Sequence, residues 1–338
     1  MVVTVLRSTL TALERIPPDA RKRGWRVLED ATRVLPRALV TAPMGGRLPV
    51  VRPTVTTERL AAAVRGKRIL ITGATSGIGL EAAYAVSRAA GALTLVARGE
   101  ERLAEVARHV RALGGHADVV PGNLADGADA DAVVETVRDR HGGVDVLVNN
   151  AGHSIRRALA RSYDRDHDFE RTMALNYFGA LRLILGFLPG MRERGDGHIV
   201  NISTMGVEIG PEPRFSAYLA SKAALDAFTA SAAPETTHDG VRWTTVYMPL
   251  VRTPMIAPTS AYARVPALST HEAAQLVLEA LVDRPRYVST PLGRVGALLY
   301  RLSPSAVETL FNFGFRLVPD ESEAARDDER ARELQRVN

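Results

Sequence analysis

Arg68-Ile-Leu-Ile-Thr72, running straight into Gly73-Ala-Thr-Ser-Gly77-Ile-Gly79, is the stretch that decides the fold. Its apolar run reads as a short buried strand, its glycines as a turn, and the Ala-rich sequence from Leu80 onward as a helix. In that order the three make a phosphate-binding element. Gly73 permits the tight turn, Gly77 lets backbone approach a pyrophosphate, and Gly79 permits close packing. The helix N-terminus adds amide donors and the positive end of its dipole. Thr72, Gly73, Thr75, Ser76, Gly77, Ile78 and Gly79 are therefore expected to bind a dinucleotide.

Outward from this stretch, strands are expected near 68–72, 92–97, 116–121, 144–149, 197–203, 242–248 and 286–289, with helical segments between them. Such alternation implies a parallel sheet wound on both faces. The expected fold class is α/β: a Rossmann-like, doubly wound, parallel seven-stranded sheet with helical N-terminal and C-terminal extensions. The chain divides into a basic, helical extension (1–65), the dinucleotide-binding domain with the active site (66–290), apolar C-terminal helices (291–319) and a charged tail (320–338).

In Ser216-Ala-Tyr-Leu-Ala-Ser-Lys222, Tyr218 and Lys222 stand four residues apart, on one face of a helix. An ammonium beside the phenol favours its ionised form and lowers its pKa from about 10, which suits a tyrosine that protonates a developing alkoxide. Further motifs follow in order: Asn149-Asn-Ala-Gly152 after the strand Val144-Asp-Val-Leu-Val148, Asn176 in Leu175-Asn-Tyr-Phe-Gly179, and the strand Ile199-Val-Asn-Ile-Ser203.

Thr-Gly-x-x-x-Gly-x-Gly with a later Tyr-x-x-x-Lys resembles the short-chain dehydrogenase/reductase family, over about residues 66 to 290. The resemblance implies Tyr218 as general acid, Lys222 holding the nicotinamide ribose, and Asn176 anchoring a water that leads to solvent. It also implies Asn123 and Leu124 flanking the adenine and Asn150, Ala151 and Gly152 lining the nucleotide groove. In Pro249-Leu-Val-Arg-Thr253 it places Pro249 and Val251 at the cofactor and Thr253 at the carboxamide. The sequence departs from the family at Asn123, usually Asp, and at Leu250, usually Gly. A hydroxyl normally stands thirteen residues before the Tyr, where this chain has Met205, so the candidates are Ser203 and Thr204. A one-residue insertion around Pro211-Glu-Pro213 restores the register to Thr204, which also has the strand parity of the active face.

Arg98 ends the second strand, where an acid would read the ribose of NADH and an Arg accommodates the 2′-phosphate, so the expected cofactor is NADPH. Ser154-Ile-Arg-Arg157, His167-Asp-Phe-Glu-Arg171, Arg214-Phe-Ser-Ala-Tyr218 and Met248-Pro-Leu-Val-Arg-Thr-Pro-Met-Ile-Ala-Pro258 look like the bacterial fatty acyl-CoA reductases of the short-chain dehydrogenase type. That similarity implies reduction of an acyl-CoA to a fatty aldehyde. The rival activity is a ketoreductase or aldehyde reductase acting on a 3-oxoacyl, polyketide or other hydrophobic carbonyl, and a cofactor-binding scaffold without catalysis is a third reading. His153 and His167 carry less weight as catalytic groups, because neither has a visible partner in the sequence.

With no cysteine in the chain, no disulfide, thiolate metal site or thiol nucleophile can form. Hydride must then attack a bound thioester directly rather than an acylated enzyme. Residues 1–68 hold 14 Lys and Arg against 5 Asp and Glu, leaving 29 against 33, so the net charge of +5 belongs to the N-terminal arm. No nucleic-acid reading motif accompanies that charge, which leaves attraction to anionic lipid, attraction to an acidic substrate, or a solvated helical arm packed on the domain. No uninterrupted apolar run approaches a membrane span and no secretory signal opens the chain, so the expectation is a cytoplasmic protein with peripheral membrane contact. Leu292, Val295, Leu298, Leu299 and Leu302 recur at helical spacing, followed by Leu310, Phe311, Phe313, Phe315 and Leu317. They read as an acyl receptacle, a membrane-surface element or ordinary helix packing. The family commonly forms homodimers and homotetramers.

Overall fold

A computed structural model describes residues 55–257, 262 and 265–317. Most of the basic arm, Pro258 and the charged tail lie outside the described residues. Seven strands, β1 (Arg68–Thr72), β2 (Ala92–Ala97), β3 (His116–Pro121), β4 (Val146–Asn149), β5 (Gly197–Thr204), β6 (Val241–Met248) and β7 (Tyr287–Val288), form one parallel sheet in the order β3-β2-β1-β4-β5-β6-β7. This is the expected doubly wound sheet, although β4 and β7 are shorter than the apolar sequence around them.

Alternation along the strands sorts side chains onto two faces. Ile69, Ile71, Leu93, Leu95, Val148 and Val200 join α1 (Thr57–Val64), α2 (Gly77–Arg88), α3 (Glu100–Ala112) and α9 (Thr270–Asp283) in one core. Leu70, Val96, Leu147, Ile199 and Trp243 join α4 (Gly127–His141), α6 (Ala180–Glu193) and α8 (Ser216–Thr236) in the other. Helix starts follow local chemistry: Asp126 caps α4 through the Asp129 amide, and Ser269 and Glu272 form a capping box on α9.

α5 (Asp166–Met173) continues through a π-helical turn, Ala174–Gly179, into α6. Within this run, 166–193, an 18-residue stretch has a mean hydropathy of 1.2 and by length and composition matches a membrane span, although no uninterrupted apolar run of that length exists. Asn176 and Arg182 interrupt it, and Leu183, Ile184 and Phe187 pack its inner face into the core. A short α7 (Met205–Ile209) follows β5, and α10 (Pro291–Leu302) and α11 (Pro304–Leu317) close the described chain. α10 crosses α7 at glycine contacts, where a methyl group on Gly296 would lie 2.9 Å from Ile209.

The order of strands reverses between β1 and β4. Ligands of open α/β sheets bind in the crevice beyond the strand ends at such a switch point. The glycine turn leaves β1 there and Asn149-Asn-Ala-Gly152 leaves β4 there.

Candidate active site

Thr72, at the end of β1, ties the two loops together. Its hydroxyl accepts the amides of Asn150 and Ala151, each at 2.9 Å, and Asn150 Nδ2 donates back to the Thr72 and Gly73 carbonyls at 2.9 and 3.3 Å. Gly73 has φ +64°, which glycine adopts freely. A Cβ on Gly79 would stand 2.5 Å from Asn150 Nδ2 and 2.6 Å from the Gly73 carbonyl, so the close packing expected of Gly79 is against the loop after β4. No side chain caps α2 at Ser76, which leaves its first-turn amides open to an anion.

One cavity of about 790 Å³ runs from this turn across the ends of the central strands. Gly73, Ser76, Gly77 and Ile78 line one side, with Asn150, Ala151 and Gly152 beside them. Ser203, Thr204, Tyr218 and Lys222 form the middle, and Pro249, Val251 and Thr253 face the turn. Leu268 pins that last segment by backbone bonds to Leu250 and Arg252 at 2.9 and 2.8 Å. Thr72, Thr75, Gly79 and Asn176 stand behind the wall rather than on it. Arg98 lies exposed directly after β2. Asn123 and Leu124 are also off the wall: the Asn123 side-chain carbonyl accepts the Ala125 amide at 3.4 Å, and Leu124 is buried against Gly179.

The π turn presents Asn176 to the loop after β4; such turns interrupt helices at functional sites. Asn176 is buried, and its Nδ2 donates to the His153 carbonyl and to Ser221 Oγ, both at 2.8 Å, while Oδ1 accepts the His153 amide at 2.7 Å. Both amide hydrogens are thus spent on protein. Burial lowers the His153 pKa, with Arg171 and Arg98 adding to the effect. His167 approaches Asp168 at 3.5 Å, a partner the sequence did not reveal.

The helix predicted around Tyr218 and Lys222 is present as α8, but the predicted lowering of the phenol is not. Burial raises the Tyr218 pKa well above its ordinary value, Glu212 adds to the rise, and a hydrogen bond with Thr204 offsets only part of it. Desolvation of a phenolate outweighs the help of a single partner. Burial also pushes Lys222 down to about 8, and its Nζ donates to the Ile202 carbonyl at 2.8 Å. The two candidate hydroxyls differ sharply. Thr204 bonds Tyr218 and accepts the Gly206 amide at 3.3 Å, whereas Ser203 Oγ is buried with no partner.

Several cavity residues escaped the sequence reading. Glu212, between Pro211 and Pro213, is pushed up to about 7 by burial. Tyr262, pushed up to about 12 by burial and then by Glu212, bonds Arg156. Arg156, Arg157 and Arg161 line the same cavity, whose acidic wall residue among those described is Glu212. The signal available was the placement of Glu212 between the two catalytic candidates Thr204 and Tyr218, in the segment expected to carry an insertion. Arg214 has a left-handed backbone, φ +74°; its carbonyl accepts the Arg157 amide at 2.7 Å and its guanidinium stacks 4.4 Å from the Phe315 ring. Of the C-terminal apolar residues, Phe311 reaches the cavity, whereas Leu298, Leu299, Leu302 and Leu310 are exposed.

The short chain dehydrogenase family matches residues 67–263. A fatty acyl-CoA reductase of Acinetobacter baylyi is 48% identical over 274 residues, covering 81% of this chain and 92% of that protein. A fatty acyl-CoA reductase of Mycobacterium tuberculosis is 44% identical over 285 residues, covering 84% and 96%. An uncharacterized oxidoreductase of the same organism is 51% identical over 266 residues, covering 78% and 77%. Among solved structures, L-sorbose reductase from Gluconobacter frateurii, complexed with NADPH and L-sorbose, superposes with a TM-score of 0.60 at 28% identity, covering 68% of this chain and 98% of that one.

Proposed function

Because this chain belongs to the short-chain dehydrogenase family, we propose that it is an NADPH-dependent reductase that converts a fatty acyl-CoA thioester to the fatty aldehyde. The observation that carries the reading is the cavity itself. It joins the glycine turn to Thr204, Tyr218 and Lys222, continues along Met205, Ile209, Met255 and Phe311, and has Arg156, Arg157 and Arg161 on its wall. An acyl-CoA combines an apolar chain with an anionic head, and this wall offers both complements. The reductases of Acinetobacter baylyi and Mycobacterium tuberculosis support the same substrate class.

The residues fit the cofactor. The uncapped start of α2 faces the cavity and takes the pyrophosphate, Lys222 Nζ lies beside Gly152 and takes the ribose, and Arg98 takes the 2′-phosphate. NADPH supplies the hydride. Thr204 polarises the thioester carbonyl, and Tyr218, kept protonated by burial, donates to the oxygen as negative charge develops there. Asn176 holds the loop after β4, and its Oδ1 keeps a lone pair for a water on the way to solvent. The resulting hemithioacetal collapses to aldehyde and thiol.

The reading is tested by incubating the protein with NADPH and an acyl-CoA series, following NADPH oxidation, thiol release and product mass. The absence of cysteine gives the thiol assay no protein background. One thiol per NADPH is expected; carbonyl reduction of ketones without thiol release from any acyl-CoA makes the protein a ketoreductase instead. Phe178 and Leu185, exposed on the 174–193 run, are the apolar surface for a homodimer or homotetramer, which light scattering measures. Leu298, Leu299 and Leu302, exposed on α10, fit peripheral membrane contact by a cytoplasmic enzyme, which liposome co-sedimentation measures.

A further inference from the structure

We infer that Glu212 is the general acid that protonates the departing thiol. The inference rests on the acyl-CoA reading and goes beyond it, because reducing a thioester needs a proton at sulfur as well as one at oxygen. Glu212 stands in the segment 210–215 between α7 and α8, and its Oε2 lies so close over Gly206 that a Cβ there would collide with it. Glu212 lies on the cavity wall with Tyr218, Tyr262 and Arg156. No hydrogen bond to its carboxyl oxygens forms among the described residues, so a structural salt bridge or cap does not account for it.

Its neighbours order the site. Glu212 shares one cavity with Tyr218, which bonds Thr204, and with Tyr262, which bonds Arg156, and in its ionised form it raises both phenols. The carbonyl oxygen belongs at Thr204 and Tyr218, and the CoA head belongs at the arginines. The sulfur that joins acyl chain to head therefore passes Glu212.

The step balances. Hydride adds to the carbonyl carbon and the oxygen takes the Tyr218 proton, giving a neutral hemithioacetal and a phenolate. As the carbon–sulfur bond breaks, the hydroxyl proton returns to the phenolate and the carbonyl re-forms. The bond pair leaves on sulfur, which takes the proton from Glu212, and water at the cavity mouth restores that proton. Expelling a bare thiolate into a largely apolar cavity would carry a desolvation cost that this proton transfer avoids. Burial holds the carboxyl at about 7, so that a substantial share carries its proton at neutral pH, close enough to an ordinary thiol, about 8.5, for efficient transfer. The groups facing it are Tyr218 and Tyr262, the latter under Arg156 and Arg214.

The test compares wild type with the isosteric Glu212→Gln on acyl thioesters whose leaving thiols span a range of acidity. With acyl-CoA, Glu212→Gln is expected to lower kcat by about 100-fold with KM little changed. The deficit should shrink toward none as the thiol becomes more acidic, because a good leaving group needs no acid. A folding or packing defect would instead reduce every thioester alike. Wild-type kcat should fall as pH rises through about 7, and that limb should vanish in the variant. Equal activity of the two proteins, or a deficit independent of the thiol, overturns the role of Glu212. Failure of wild type to release thiol from any acyl-CoA overturns the substrate reading instead.

Discussion

Ser203 and Thr204 are adjacent on β5, yet removing their hydroxyls should have opposite consequences. Thr204→Val keeps the shape of the side chain and deletes the bond to Tyr218 and the one accepted from the Gly206 amide. A buried phenol deprived of a partner costs about 1–3 kcal/mol, and loss of an N-terminal helix cap costs about 1 kcal/mol. The 3.3 Å cap is long, so a net destabilisation of about 2 kcal/mol is expected. Loss of the carbonyl donor should lower kcat by about 100-fold or more. Ser203→Ala removes a hydroxyl that is buried without a partner, so the unfolded state alone loses hydration and stability should stay level or rise by up to about 1 kcal/mol. Activity should be retained. Urea unfolding and steady-state kinetics with NADPH and an acyl-CoA read both quantities on the same preparations. A Ser203→Ala protein that loses most activity, beside a Thr204→Val protein that keeps it, would falsify the assignment and place the donor on Ser203.

Gly79→Ala should lower stability by about 2–3 kcal/mol and weaken cofactor binding, because its methyl group meets the Asn150 side chain and the Gly73 carbonyl; an unchanged melting temperature contradicts this. Arg98→Asp should weaken NADPH more than NADH, and equal losses in a fluorescence titration would remove Arg98 from cofactor choice. Asp168 is buried, which raises its carboxyl, but hydrogen bonds from Arg165 and Arg157 outweigh this and hold it below the ordinary carboxylate value. Its contribution is therefore present above the unfolded value of about 3.9 and is lost as pH falls through the lower folded value. Asp168→Asn should cost about 2 kcal/mol at neutral pH, less than a fully buried pair because both arginines are about one-third exposed. Urea unfolding between neutral and acid pH should show that the variant loses less stability on acidification than wild type; parallel curves would contradict it.

The seven strands, the glycine turn and the helix carrying Tyr218 and Lys222 were legible in the sequence because each depends on neighbours a few residues away. Alternation sets the two faces of a strand, a spacing of four sets one face of a helix, and glycines mark where the backbone turns through positive φ. Motif order likewise placed Asn149 to Gly152, since in a doubly wound sheet the strand ends meet at the switch point, whereas Asn176 was marked only by the family resemblance. The exposure of Leu298 and Leu302 was not legible, because helical periodicity marks an apolar face without saying what covers it.

The tertiary structure decided the electrostatics and the close contacts. Lys222 lies on the same helix as Tyr218, and from sequence it should have lowered the phenol; burial by strands and loops distant in the chain raised it instead. The same burial turned Glu212 from a loop carboxylate between prolines into a group that titrates near neutrality. Thr204 and Ser203 became distinguishable only when one met Tyr218 and the other met no partner. Periodicity and spacing are properties of a short length of chain, whereas desolvation and pairing depend on everything the fold brings within a few ångströms.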